Sequence, residues 1–139
     1  MQETLRRMRE KRVGGDHGFT LIELLVVVVI IGVLVAIAIP VYLNYRKGAE
    51  NRAAQSDVRS AITAVEQCYA DNNNVYPANQ GPVVGPAQLT LACASGNQTI
   101  NISPGNSMTY TLVGGGHYTV AVTGPNRTYT YDNTTGQIS

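Results

Sequence analysis

The sequence has little charge and few cysteines. Only 14% of its 139 residues are Asp, Glu, Lys or Arg, and none of these occurs from Asn72 to Asn126. Because phosphate binding depends on clustered Lys and Arg, this stretch argues against direct nucleic-acid binding. Two cysteines, Cys68 and Cys93, are too few for a zinc cage or a disulfide-rich miniprotein.

Histidine is also scarce, which restricts acid–base and nucleophilic catalysis. His17 lies in a basic N-terminal segment, so a Ser-His-Asp or Cys-His mechanism would depend on His117 alone. His117 follows three glycines in a predicted turn, where a polar side chain serves the turn or the surface. Asp71 to Asn74 offers oxygen ligands for calcium, but it lacks the spaced carboxylates of a known loop and is better interpreted as a helix terminus. We therefore predict no catalytic residue, no metal and no cofactor.

The apolar residues are concentrated in one block near the N-terminus. Phe19 to Val41 contains 19 apolar residues out of 23. A helix over the 21 residues from Phe19 to Ile39 spans roughly 30 Å, the thickness of a bilayer core. The preceding segment carries five basic residues, which the positive-inside rule keeps in the cytoplasm. The sequence therefore predicts a single membrane span with the chain after Pro40 outside.

Two features of this block have alternative interpretations. Ala36-Ile37-Ala38 resembles a signal-peptidase site, although the apolar run is longer than the usual ~7 to 15 residues and contains Glu23. A carboxylate in a bilayer costs about 2.5 kcal/mol or more. Glu23 therefore either has a charged partner or reaches the lipid head groups.

The residues Gly18-Phe19-Thr20-Leu21-Ile22-Glu23, between the basic segment and the apolar run, resemble the processing motif of type IV pilins and pseudopilins. The resemblance covers about 30 residues and implies cleavage by prepilin peptidase after Gly18 and methylation of the Phe19 amine. It also implies that Glu23 pairs with the N-terminal amine of a neighbouring subunit, which would make its buried charge tolerable. Gly32 and Pro40 match positions where pilin helices loosen on assembly.

The same resemblance implies a structural subunit that polymerises into an extracellular type IV pilus for adhesion, motility or DNA uptake. The implied partners are further copies of the chain, other pilins, prepilin peptidase, the pilus assembly machinery and, before assembly, membrane lipid. The implied location is the cytoplasmic membrane and then the cell-surface filament. A pseudopilin or minor pilin of a type II secretion-like system is the alternative, since the motif does not separate them. A membrane-anchored enzyme or ligand-binding domain is the alternative from another class.

The predicted organisation is a leader at 1–18, a transmembrane and assembly helix at 19–40, and an extracytoplasmic head at 41–139. Pro40 is expected to kink the helix without ending it, because helix formers continue to residue 71. An apolar stripe on this helix suits packing against a sheet, with Arg52, Arg59 and Glu66 on the opposite face. The stripe consists of Val58, Ile62, Val65 and Tyr69.

The residues after the helix predict a loop at 72–107 and a β-meander at 108–139. Prolines and glycines fill the loop, in which brief strands are possible at Gln88–Ala92 and Thr99–Ile102. Period-two alternation then predicts an antiparallel sheet. Its strands are predicted at Thr109–Val113, Tyr118–Thr123, Thr128–Tyr131 and Gln137–Ser139. The fold class is α+β, with a long N-terminal helix packed on a small antiparallel sheet.

Cys68 and Cys93 are predicted to form one disulfide, because the domain that carries them is predicted to lie outside the cytosol. The bond would close 24 intervening residues and contribute about 3 kcal/mol by the loop-entropy estimate. Two unpaired buried thiols are the alternative.

Tyrosine is the dominant aromatic residue, with eight Tyr, one Phe and no Trp. The strand tyrosines are expected to pack across the sheet, or otherwise to line an adhesive or subunit surface. Four Asn-X-Ser/Thr sequons, at Asn97, Asn101, Asn126 and Asn133, are a weak signal for glycosylation.

Overall fold

The computed structural model describes residues 18–139, so the predicted leader lies outside the described residues except for Gly18. The chain divides into two compact units, Met1–Val41 and Tyr42–Ser139, and we call the second the head. The described elements are one helix and seven strands. They are α1 (Leu21–Asp71), β1 (Gln80–Val84), β2 (Ala87–Leu91), β3 (Gln98–Ile102), β4 (Ser107–Gly114), β5 (His117–Thr123), β6 (Thr128–Asp132) and β7 (Gln137–Ile138).

Helix α1 continues through Pro40, as predicted, and the kink at that residue stays a prediction. It ends at the asparagine run that follows Asp71. Asn73 and Asn74 have φ of 53° and 62°, a left-handed conformation that Asn tolerates better than most residues. The Asn74 amide donates to the Tyr69 carbonyl at 3.0 Å, which satisfies a carbonyl left over at the helix end.

The predicted meander is confirmed as the larger part of a five-stranded antiparallel sheet with the order β1-β4-β5-β6-β7. The turn between β4 and β5 consists of Gly115 and Gly116, with φ of 64° and 80°. Two consecutive residues with positive φ match the twist of a hairpin, and glycine adopts them without steric cost. The glycine run is therefore a hairpin turn, as the sequence predicted.

The segment 72–107 is more regular than a loop. Strands β2 and β3 pair with each other close to the two positions at which brief strands were predicted. Strand β1 was not predicted, and it pairs with β4 at the edge of the main sheet. The interpretation of 72–107 as a loop is corrected accordingly.

One core joins the helix, the main sheet and the β2–β3 pair. The residues of α1 that are buried there include three small ones, Ala54, Ala61 and Cys68, beside Val58 and Val65. Its sheet residues are Met108, Tyr110, Tyr118, Val120, Val122 and Tyr129, with Leu89, Leu91, Ile100 and Ile102 from the β2–β3 pair. The fold is therefore α+β, with a long N-terminal helix packed on an antiparallel sheet.

A buried carboxylate fixes the connection between β3 and β4 to the helix. Asp57 is 5% exposed and accepts hydrogen bonds from the Ser103 amide and hydroxyl, both at 2.9 Å. It also accepts one from the Asn106 side-chain amide at 2.7 Å. These three donors satisfy an acceptor that would otherwise be costly to bury.

Candidate functional site

The residues around the predicted cleavage point lie just before the helix. Gly18, Phe19 and Thr20 are exposed and outside regular structure, and α1 begins at Leu21 rather than at Phe19. The peptide bond between Gly18 and Phe19 is therefore not part of the helical hydrogen-bond ladder. An exposed bond outside regular structure is accessible to proteolytic cleavage.

Thr20 and Glu23 form a capping box at the start of α1. The Thr20 amide donates to Glu23 Oε2 at 2.9 Å, and the Glu23 amide donates to Thr20 Oγ1 at 3.3 Å. The Thr20 hydroxyl also donates to Glu23 Oε2 at 2.8 Å. This reciprocal arrangement satisfies two backbone donors that have no partner inside the helix. Thr20 is therefore a hydrogen-bond partner of Glu23 within the chain, in addition to the partners expected from the sequence.

The first part of α1 presents an apolar surface on all sides. Its large apolar side chains are 45% to 89% exposed from Leu21 to Val41, and Phe19 just before the helix is also exposed. Among residues 18–139, α1 is the one helix long and apolar enough to cross a membrane. Gly32 has no atom within 4 Å of the position that a Cβ would take, so a neighbouring helix can approach its backbone closely.

The remaining candidate residues serve the head. His117 Nε2 lies 3.1 Å from Asp132 Oδ1, and the Thr134 hydroxyl and amide donate to the same oxygen. The two bonds from Thr134, followed by His117, lower the pKa of Asp132 to about 2. No group of three or more His, Cys, Asp or Glu side chains in the described part of the chain could hold a metal ion.

Two strand tyrosines, Tyr110 and Tyr118, belong to an aromatic cluster that also includes Tyr69 of the helix and Tyr76. Ring centroids are 4.3 Å apart for Tyr69 and Tyr76, 4.9 Å for Tyr76 and Tyr118, and 5.7 Å for Tyr118 and Tyr110. Burial raises the pKa of Tyr110 to about 12. Burial, followed by the hydrogen bond to Glu66, raises the pKa of Tyr118. On the strands, Tyr110, Tyr118 and Tyr129 are buried in the core and Tyr131 packs partly buried against it, which agrees with the first of the two interpretations.

Glu66 is a correction to the sequence analysis, which placed it on the helix face opposite the sheet. Its Oε1 accepts a hydrogen bond from the buried Tyr118 hydroxyl at 2.7 Å. Glu66 therefore lies at the border between the buried and exposed faces of α1. Its long side chain reaches Tyr118 on the central strand β5, which a helical projection of Cα positions does not reveal.

Three of the four sequon asparagines have structural partners. Asn133 accepts from the Tyr118 amide at 2.9 Å and donates to the Gly116 carbonyl at 2.8 Å. Asn126 donates to Glu50 at 2.6 Å, and Asn101 accepts from Gln88 at 2.8 Å. These side chains join turns and strands.

The predicted disulfide between Cys68 and Cys93 is confirmed. Cys68 is fully buried near the end of α1, and Cys93 lies after β2 and is partly buried against the core. The bond therefore joins the helix to the β2–β3 connection.

Comparison with known proteins agrees with this arrangement of an N-terminal motif, an apolar helix and an α+β head. The family model for the prokaryotic N-terminal methylation motif matches residues 15–39. This match places the N-terminal part of the chain with prokaryotic proteins that carry this motif. Two fimbrial proteins of Pseudomonas aeruginosa are 36% identical over 102 residues, covering 70% of this chain and 66% of theirs.

Two further relatives extend the comparison. The type IV wide pilus major component of Thermus thermophilus is 35% identical over 98 residues, which is 70% of this chain and 72% of that protein. The type II secretion system core protein G of Escherichia coli is 29% identical over 118 residues, 73% of this chain and 81% of that protein. No solved structure gave a significant match. The chain belongs to the type IV pilin family.

Proposed function

We propose that this chain is a structural subunit of a type IV pilus and acts by binding copies of itself, not by catalysis. Its precursor inserts in the cytoplasmic membrane with the chain after Pro40 outside. Prepilin peptidase cleaves between Gly18 and Phe19, and the Phe19 amine is methylated. The pilus assembly machinery then transfers the mature chain, alone or with other pilins, from lipid into a filament at the cell surface.

The observation that carries this proposal is the exposed apolar first part of α1, directly after the methylation motif. Such a surface is too large to face water, and only lipid or similar helices can cover it. In a filament, other copies replace the lipid, and close packing supplies the stabilisation. Gly32 gives such a neighbour a place to approach, and Pro40 reduces the hydrogen bonding of the helix there.

Glu23 gives the proposal its sharpest test. Thr20 satisfies hydrogen bonds of the carboxylate, but it is neutral, and the ion pairs among residues 18–139 include none with Glu23. The methylated ammonium group of Phe19 from a neighbouring copy would supply a counter-ion. The capping role and the charge-pairing role can be separated, because glutamine replaces glutamate in a capping box but carries no charge.

We therefore expect Glu23→Gln and Glu23→Ala to insert in the membrane at normal levels and both to lose filaments. Membrane fractionation measures insertion, and electron microscopy of sheared filaments measures assembly. Thr20→Val is the matched control, because it removes the hydroxyl of the capping box and keeps the charge. If Glu23→Gln assembled normal filaments while Glu23→Ala did not, the carboxylate would act through the cap, and charge pairing would be wrong.

The intact mass of the membrane-extracted chain tests processing independently. We expect a chain that begins at Phe19 and is heavier by one methyl group. Retention of Met1, or cleavage after Ala38 with Ile39 exposed, would contradict the proposal.

A second candidate is a pseudopilin or minor pilin that forms a short filament or a tip. The similarity to the secretion protein of Escherichia coli over 81% of that protein favours it. The abundance of the chain in sheared surface filaments separates the two: a major pilin forms their bulk, whereas a pseudopilin or minor pilin is scarce or absent.

A further inference from the structure

The charges of the head are unevenly distributed along α1. Arg46, Lys47, Arg52 and Arg59 lie in the stretch 46–59, which also contains Glu50, the ion-pair partner of Arg46, and the buried, hydrogen-bonded Asp57. Glu66 and Asp71 lie in the last turns of the helix. Residues 72–126 carry no charge. Strands β1 to β5 therefore add no charged residue to either group.

The two charged residues of the sheet add to this uneven distribution. Arg127 follows Asn126, whose amide donates to Glu50 at 2.6 Å, so this turn lies beside the first turns of the head helix. Asp132 lies at the opposite end of β6, beside the β4–β5 turn, where it contacts His117. We call these regions the basic end and the acidic end of the head.

Some of these charged side chains have partners within the chain, and the others are available to bind another molecule. Arg46 pairs with Glu50 at 2.9 Å, and Arg127 lies 5.3 Å from the centre of the Tyr129 ring. At the acidic end, Glu66 and Asp132 have the partners described above. Asp71 contacts the neutral amide of Gln67 at 3.1 Å. Lys47, Arg52 and Arg59 are exposed at the basic end and have no acidic partner among the ion pairs of residues 18–139.

We propose that the acidic end of one head binds the basic end of a second copy, with Asp71 facing Arg52 or Arg59. This inference rests on the proposed polymerisation and specifies its contact. A basic end alone would also fit an anionic lipid surface, and an acidic end alone would fit any cationic protein. A second copy of the chain is the partner that satisfies both ends at once.

The geometry of the helix agrees with a staggered contact of this kind. Arg59 and Arg52 precede Asp71 by 12 and 19 residues, which correspond to about 18 and 28 Å along a helix. A second copy shifted by such a distance places unlike charges together. Because the two contacting surfaces differ, the contact leaves each end of an assembly open and can repeat without closing.

Apolar groups accompany the charges at both ends. At the basic end, Tyr45 is 75% exposed and borders a cavity of about 210 Å³ that Gly48, Ala49 and Arg52 also line. At the acidic end, Val75 is 58% exposed beside a cavity of about 240 Å³ lined by Tyr69 and Tyr76. Each end therefore offers a side chain and a recess as well as a charge, which an interface between copies requires.

Charge reversal in the full-length chain tests this contact. We expect Asp71→Arg to lower the yield of sheared filaments about tenfold, and Arg52→Glu or Arg59→Glu to do the same, whichever arginine faces Asp71, because like charges then face each other. Asp71→Arg combined with Arg52→Glu or with Arg59→Glu exchanges the two signs. One of these double variants should recover most of the yield, and filaments of the single variants should improve at high salt.

The matched control is Thr90→Glu with Asn97→Asp, which lowers the net charge by two, as Arg52→Glu does, at exposed positions outside the basic end. It should assemble normally. Loss in both arginine variants with a normal Asp71→Arg chain would indicate an anionic lipid surface and overturn the proposal. Normal yields in all single variants would overturn it and leave the proposed function intact. If the unaltered chain formed no filaments, both would be wrong.

Discussion

At the scale of single residues, Asp57 has the strongest effect on the fold that the sequence did not predict. Asp57 precedes Val58 of the predicted apolar stripe, but the charge of its own side chain predicts an exposed position. Its partners, Ser103 and Asn106, are 46 and 49 residues away. A helix position can acquire such donors only when the fold closes, so a local pattern does not identify it.

We expect Asp57→Ala to reduce the free energy of unfolding by about 3 kcal/mol. The change removes an acceptor of three hydrogen bonds and leaves the buried Asn106 amide without a partner. Thermal unfolding in detergent, followed by tyrosine circular dichroism, measures the loss.

Asp71→Ala is the matched control for this prediction, since it removes a carboxylate of the same helix that contacts only Gln67. It should change the free energy of unfolding by no more than about 0.5 kcal/mol. Equal losses in the two variants would mean that the contacts of Asp57 do not stabilise the fold.

The packing face of α1 shows a second limit at the residue scale. The predicted stripe selected large apolar residues, and Val58 and Val65 are indeed buried. The face also uses Ala54 and Ala61, while Ile62 is only partly buried against the core. Small residues allow the helix to approach the sheet closely, and a pattern based on hydrophobicity gives them little weight.

At the scale of elements, the period-two alternation of apolar and polar residues predicted the strands of the meander. Strand β1 was not predicted, because it contains a proline. Strand β1 has the sequence QGPVV, which reads as a turn. It lies at the sheet edge and has an irregular register between Gln80 and Val83, where a proline removes no hydrogen bond that the sheet needs. A Cβ at Gly81, where φ is 101°, would lie 2.6 Å from the Met108 carbonyl oxygen. Glycine therefore permits the close approach of β1 to β4.

The disulfide is the element-scale feature whose removal should have the clearest consequence. The double variant Cys68→Ser with Cys93→Ser should lower the free energy of unfolding by about 3 kcal/mol. The reason is that the unfolded chain regains the conformational freedom of the 24 residues between the cysteines. Limited proteolysis should then cut first within residues 72–107, while β4 to β7 stay protected, since those strands are hydrogen-bonded to one another.

Mass spectrometry of the fragments locates the cuts, and the unaltered protein under the same non-reducing conditions is the control. Equal protection of the two proteins would show that the β2–β3 core residues hold the segment without the bond. Cuts that appear first in β4 to β7 would contradict the prediction that the bond mainly protects residues 72–107.

At the scale of the whole molecule, the chain divides the tasks of assembly and folding between its two units. The buried apolar core begins at Ala54 and includes no residue of the described part before it. The apolar residues from Phe19 to Val41 are exposed and take no part in that core. The sequence predicted this division because composition changes abruptly at Pro40, whereas the contacts between copies depend on partners that a single chain does not contain.

A chain that begins at Tyr42 should therefore fold alone. We expect it to be soluble without detergent, to contain the Cys68–Cys93 bond, to unfold in one cooperative transition and to sediment as a monomer at micromolar concentration. Without the apolar segment, only the contacts between heads remain. These contacts are weak for two separate heads and become strong in a filament, where neighbouring copies are held at a high effective concentration. Sedimentation velocity and thermal unfolding measure the state of this fragment, and Asp57→Ala in the same fragment is the destabilised control. An unfolded or aggregated fragment with the disulfide intact would show that residues before Tyr42 stabilise the head, contrary to the division inferred from the core.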